Sequence, residues 1–248
     1  MNNKAVHGLE SVQFAFFLSN PGEKDLDVDS LFTAAFSRKA STIERAGVGT
    51  QAATSSDDGR VIRLGLSPMR LDVFISAVPV MPAQSFTPAQ GDANNFIDAL
   101  KHAVKAIAPL LPPVNRLGLV ANWLEPASSQ AAAIDMIEGD SGFRFAGPQD
   151  ASTQDLTLSF NRPFASSVQM GRTFNQVMAW QIQRQQQVMF DASGLRIKED
   201  LAVRSSIDIN SSVALVVVNS EETSLPQQVL IEMSAEMFDR VSSTLRLG

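Results

Sequence analysis

The chain has 248 residues, with 20 Lys and Arg against 26 Asp and Glu, a formal charge of −6, two histidines and neither cysteine nor tyrosine. Without thiols there are no disulfides, thiolate nucleophiles or cysteine-based metal sites, and two imidazoles exclude most multi-histidine centres. The acidic balance argues against a nucleic-acid partner, and no apolar run approaches the roughly 18 residues that a membrane-spanning helix needs.

Ser11 to Ser19 is rich in Phe and Val and stops at Asn20-Pro21-Gly22, which predicts a strand and a turn. Val28, Leu31, Phe32, Ala35 and Phe36 share one face of a helix, and the acidic run Asp25-Leu26-Asp27-Val28-Asp29 suits its positive N-terminal end. Residues 40–59 are Ser, Thr, Gly and Asp with little periodicity, and predict a loop. Arg60–Leu66 and Arg70–Val78 predict two strands around Ser67-Pro68-Met69, and the prolines at 79, 82 and 88 predict an irregular connector over 79–92. Phe96, Ile97, Leu100, Ala103, Val104 and Ile107 form the stripe of a helix over 94–108, which Pro112-Pro113 stops. Val114–Leu124 reads as a strand ended by Glu125-Pro126. Residues 128–137 read as a short Ala-rich helix and 138–154 as a Gly- and Asp-rich loop.

The second half is richer in strand signal. Asp155–Asn161 is a short strand, and Phe174–Phe190 has a period of two. Phe174, Met178, Trp180, Ile182, Val188 and Phe190 take one face, and Asn175 with Gln181, Gln183, Gln185 and Gln187 take the other. Asp191-Ala192-Ser193-Gly194 reads as a hairpin turn. The return strand alternates Leu195, Ile197, Leu201 and Val203 against Arg196, Lys198 and Arg204, with Glu199 on the apolar face as at a bulge or rim. Ile207–Ile209 and Val213–Val218 add strand segments. A closing helix runs from Pro226 to about Arg246 on the stripe Leu230, Met233, Met237 and Val241.

These elements predict an α+β fold of mostly antiparallel, twisted sheets with helices on one face. The Pro112-Pro113 joint divides it into halves, 1–111 and 112–248, each read as a β-α-β-β-α unit of a pseudo-repeat that forms one domain if the sheets interleave. The whole −6 falls in the second half: residues 125–248 hold 9 basic and 15 acidic groups, against 11 of each over 1–124. The N-terminus lacks the pattern of a secretory leader, which predicts a cytoplasmic protein.

Motif tests yield little chemistry. The Asp25-Asp27-Asp29 run fails as a calcium loop, because Ser30 and Phe36 stand where glycine and glutamate are needed. Gly139-Asp140-Ser141-Gly142 has the look of a hydrolase nucleophile segment, yet His7 and His102 are poorly placed to serve it, so it reads as a polar loop. Gly47 and Gly49 lack the rest of any nucleotide fingerprint. No catalytic residue, metal ligand or cofactor is indicated.

At Arg116-Leu117-Gly118-Leu119, after a helix and two prolines, the layout resembles a widespread family of uncharacterised bacterial proteins. That family carries a central Arg-x-Gly-Leu-Arg-Tyr-x-Asn-Arg strand and ends in a strand and a helix. Here Val120-Ala121 replaces the Arg-Tyr pair and Asn122 comes one position early. The resemblance covers the element order over roughly 60–248 and implies a fold but no activity.

Two functions remain. The first, favoured by the shortage of catalytic residue types and the long polar strand faces, is a non-catalytic interaction or assembly protein whose partner is another protein or a second copy. The second is a small-ligand-binding protein or carboxylate-based enzyme. The candidate binding residues are Arg116 and Trp123 on the central strand and Gln181, Gln183, Arg184 and Gln185 on the long strand. Arg196 and Arg204 on the return strand complete the set, although alternation puts Arg184 on the Trp180 face and these two on the other.

Overall fold

The computed structural model describes residues 8–19, 25–47, 49–57, 59–78, 90–145, 156–191, 194–211 and 225–246, with the backbone alone for 185–191 and 196–199. The chain begins with β1 (Gly8–Leu9), β2 (Ser11–Leu18) and α1 (Val28–Phe36). Four strands follow: β3 (Thr42–Ala46), β4 (Thr50–Asp57), β5 (Arg60–Ser67) and β6 (Arg70–Ala77). The short β7 (Gly91–Asp92) pairs with β1 and leads into α2 (Ala93–Ile107). The second half contains β8 (Val114–Ala127), α3 (Gln130–Ser141), β9 (Thr157–Asn161) and β10 (Phe164–Ala165). It continues with β11 (Thr173–Asp191), β12 (Gly194–Ser211) and α4 (Gln227–Leu245). This is the α+β architecture that the sequence predicts.

The two halves share one antiparallel sheet. Its order is β10-β11-β12-β8-β2-β6-β5-β4-β3, with β9 also on β11. The central pair joins the first strand of each half: Phe14 on β2 lies opposite Leu119 on β8 and Val73 on β6. Outward from that pair lie β6 and its hairpin partner β5 on one side and β12 and its hairpin partner β11 on the other. Five strands, β3 to β7, separate α1 from α2, where the sequence predicts two, and among the described residues β9 to β12 lie between α3 and α4.

All four described helices pack on one face. Val12, Phe14, Phe16 and Leu18 of β2 point to that face with Leu71, Val73 and Ile75 of β6 and Leu117, Leu119 and Ala121 of β8, and all are buried. The predicted stripes of α2 and α4 meet them. Phe14 and Phe238 stack at 5.4 Å, which ties the C-terminal helix to the first long strand. Burying each such side chain contributes about 1.5–3 kcal/mol. The starts of α1, α2 and α3 are capped by carboxylates and a hydroxyl: the Ser30 N–H donates to Asp27, that of Asn95 to Asp92 and that of Ala132 to Ser129. Each cap contributes about 1 kcal/mol.

Several expectations are corrected. The predicted loop over 40–59 contains β3 and β4; the Ser, Thr and Ala residues of β4 show no periodic pattern but pair in register with β5, and β3 pairs with β4 at the sheet's edge. Small side chains are what that position needs, because Ala53 is buried beneath α1. The strand does not end at Glu125-Pro126. Pro126 lies opposite Ala202, and β2 pairs with β8 only as far as Asn122, so the proline occupies an edge that tolerates a missing N–H. The helix of α3 runs four residues past its predicted end, and Gly142 at φ 75° closes it in the left-handed conformation that glycine adopts freely. The β11–β12 register is unbroken from Phe174–Ser211 to Asp191–Gly194, so Glu199 sits opposite Gln186 without a bulge. Ala192, Ser193 and the expected strand Val213–Val218 lie outside the described residues, as does the connector over 79–89.

Candidate functional site

On the helix-covered face, Trp123 of β8, Ser205 of β12 and Trp180 of β11 form one cross-strand row. Neighbouring strands are just under 5 Å apart, so the two tryptophan backbones stand about 10 Å apart with a small residue between them. The last turns of α3 and α4 pass over this part of the sheet and leave a cleft of about 390 Å³. Its apolar lining is Trp123, Met136, Phe160, Met178 and Trp180. Phe160 and Trp180 meet at 5.3 Å with their rings tilted by 39°. Both tryptophans are almost wholly buried, at 4% and 2% exposure, and among the described residues neither indole N–H has an acceptor. A buried donor without an acceptor is uncommon and costs roughly 1–3 kcal/mol.

The polar lining comes from Glu125, Asp140, Arg162, Gln176, Arg240 and Arg246, together with the hydroxyl residues Ser141, Ser243 and Thr244. Two of the arginines are held by rings: Arg162 lies 4.5 Å from the Phe160 centroid and Arg240 lies 4.9 Å from that of Phe164. Arg240 Nε also donates to Gln176 Oε1 at 2.8 Å. Burial pushes the Asp140 carboxyl above its ordinary range, and the Arg246 charge opposes this. The wall that carries Asp140 is fixed by its neighbour. The buried Glu138 accepts from the Phe145 N–H at 2.7 Å and from Arg144 at 2.6 Å, and these bonds hold its carboxyl below the usual range. Gly139, Asp140 and Ser141, read as a polar loop in the sequence, are the final helical turn of this wall.

The predicted binding residues divide between the two faces of the sheet. Trp123 lines the cleft. Arg184 shares its face but lies out of the cleft lining, where its Nη2 donates to Gln130 Oε1 at 2.7 Å. Arg116, Gln181, Gln183 and Arg204 take the opposite face. There Arg116 and Arg70 lie over the Phe17 ring, at 4.8 and 5.1 Å from its centroid. Arg116 also donates to Asn210 at 3.1 Å, Arg204 pairs with Glu10 at 3.2 Å, and Gln181 sits opposite Arg204. The side chains of Gln185 and Arg196 lie outside the described residues. Arg162, Arg240, Arg246 and Asp140 come together only through strand order and the two helix ends, so local sequence spacing gives no sign of them.

Among the described residues, no group of three or more His, Cys, Asp or Glu is placed to hold a metal ion, and no helix is long and apolar enough to cross a membrane. No family model and no curated protein matches the chain. Among solved structures, the di-domain ARO/CYC StfQ from the steffimycin biosynthetic pathway is similar at 8% identity over 94% of this chain and 95% of that one, with a TM-score of 0.18. A likeness at that score carries no argument about fold or function.

Proposed function

We propose that the protein binds a small molecule in the cleft between the sheet and the ends of α3 and α4. The observation that carries this reading is the convergence of both tryptophans of the chain and Phe160 with three arginines and two carboxylates around one hollow. A concave cleft that brings aromatic side chains and convergent charged groups together is a common form of ligand site. Its volume also falls within the common range of roughly 300–1,000 Å³. The chain has no tyrosine, so its near-ultraviolet emission comes from Trp123 and Trp180 and reports on the cleft. Titration with a panel of small aromatic compounds is expected to change that emission saturably. Emission that no member of the panel alters would remove the reading.

A second reading, assembly with another protein or a second copy, draws on the opposite face of the sheet, over which no helix packs among the described residues. Its Phe17, flanked by Arg70 and Arg116, is the kind of aromatic–arginine group that interfaces use. Light scattering at high micromolar concentration tests it, and a monomer counts against it.

A further inference from the structure

We infer that the ligand of the cleft is an organic anion with an aromatic body, of the aryl-carboxylate class, its ring against the Trp123–Trp180 floor and its carboxylate at the arginines. The inference rests on the reading of the cleft as a small-ligand site and adds the charge and shape of what fills it.

Charge is the first argument. The chain carries −6 overall, and the half that contains the cleft carries all of it. The cleft reverses that sign: Arg162, Arg240 and Arg246 face Glu125 and Asp140. A basic hollow in an acidic surface draws anions in and turns cations away.

Hydrogen-bonding capacity is the second. The indole N–H groups and the guanidiniums are donors only. Both indole nitrogens are themselves buried, so the donors along the hollow are the guanidiniums of Arg162, Arg240 and Arg246, which match a carboxylate. Arg240 is already oriented by Gln176 and the Phe164 ring, and Arg162 by the Phe160 ring, so little side-chain freedom is lost when they meet a carboxylate.

Shape is the third. Phe160 offers ring surface beside the almost wholly buried Trp123 and Trp180, and Met136 and Met178 offer thioethers, which pack well against aromatic edges. An aliphatic anion of the same charge would leave these surfaces without a ring to meet.

Three isosteric probes separate the possibilities: 3-phenylpropionate, 3-phenylpropanol and 3-phenylpropylamine, each titrated into the full-length protein by calorimetry and by tryptophan emission. The expected result is binding of the anion at least about tenfold tighter than the alcohol, the loss that one charge-assisted hydrogen bond is worth, and no saturable binding of the amine. Arg240→Gln is expected to cost about tenfold in affinity for 3-phenylpropionate and leave the alcohol unchanged. If that variant fails to fold by circular dichroism, the exposed Arg162→Gln takes its place with the same expectation. Equal affinity for acid and alcohol, or tighter binding of the amine, overturns the anion inference and leaves the small-ligand reading intact. Binding of none of the three at millimolar concentration overturns both.

Discussion

Glu138 and Asp140, two residues apart in the last turn of α3, respond to the fold in opposite directions. Glu138 is held below its ordinary 4.5 by the Phe145 N–H and by Arg144, whereas Asp140 is pushed above its ordinary 3.8 by burial. Helix periodicity puts them about 200° apart, one turned to the chain that follows and the other to the cleft. One short segment thus anchors the wall and carries an acid of the cleft.

These shifts give two pH signatures of opposite sign. Glu138 contributes stability that is present above 4.5 and lost as the pH falls through its depressed value. Asp140 binds a proton more tightly folded than unfolded, so its ionisation lowers stability as the pH rises from 3.8 through its raised value. In thermal melts between pH 3 and pH 8, Glu138→Gln is expected to melt below wild type at neutral pH and to converge with it in acid. Asp140→Asn is expected to melt above wild type at neutral pH and to lose that advantage below pH 3.8. Parallel curves for either variant would contradict the assignment.

Ser205 keeps the two indoles apart. Ser205→Leu adds a branched side chain between Trp123 and Trp180 at a position with 2% exposure. Overpacking there is expected to cost about 1–3 kcal/mol in chemical denaturation. It is also expected to weaken 3-phenylpropionate and 3-phenylpropanol alike, in contrast to the charge-selective loss in Arg240→Gln.

Ser37 closes α1 at φ 53°, ψ 29°, a left-handed conformation that suits glycine. A non-glycine residue pays roughly 1–2 kcal/mol there. Glycine removes that strain and gives back part of it as unfolded-chain entropy. Ser37→Gly is therefore expected to stabilise the protein by about 0.5–1 kcal/mol, read as a higher denaturant midpoint at constant slope.

Phe238→Ala removes the ring that α4 stacks on Phe14. The position is 2% exposed, so a loss of about 3–5 kcal/mol is expected. Because α4 packs on the β8 side of the sheet and its ring meets β2, the loss is expected to appear in one cooperative transition. Two separated transitions would show that the halves unfold independently.

Much of the fold was legible because its apolar residues keep strict periods. The stripe Phe96–Ile107 and the alternation from Phe174 to Ile182 survive almost residue for residue in α2 and β11. The strands that escape the sequence pattern are β4, whose Thr, Ser and Ala residues are placed by β5 and α1, and the wholly exposed β3, which is placed by β4. Gly139 and Asp140 read as helix breakers, and only the packing of Ile134 and Ile137 beneath them keeps the last turn of α3 helical. The candidate site was half legible. Trp123 stood out, but Trp180 read as core, and nothing in local spacing joins residue 140 to residues 162, 240 and 246. Their meeting depends on β12 lying between β8 and β11 and on where two helices stop, which only the completed sheet decides.

Ser11 and Asn122 lie side by side at the sheet's centre, hydrogen-bonded at 3.1 Å across 111 residues of chain. As the polypeptide leaves the ribosome, β2 has β6 for a neighbour long before β8 exists, and its other edge stays bare. Closing so long a loop carries an entropic cost that slows folding. Cleavage between Pro112 and Pro113 would give two fragments with matching raw edges, β2 on one and β8 on the other. Mixed, they are built to recombine into a single sheet, a split protein whose reunion the cleft's own fluorescence can follow.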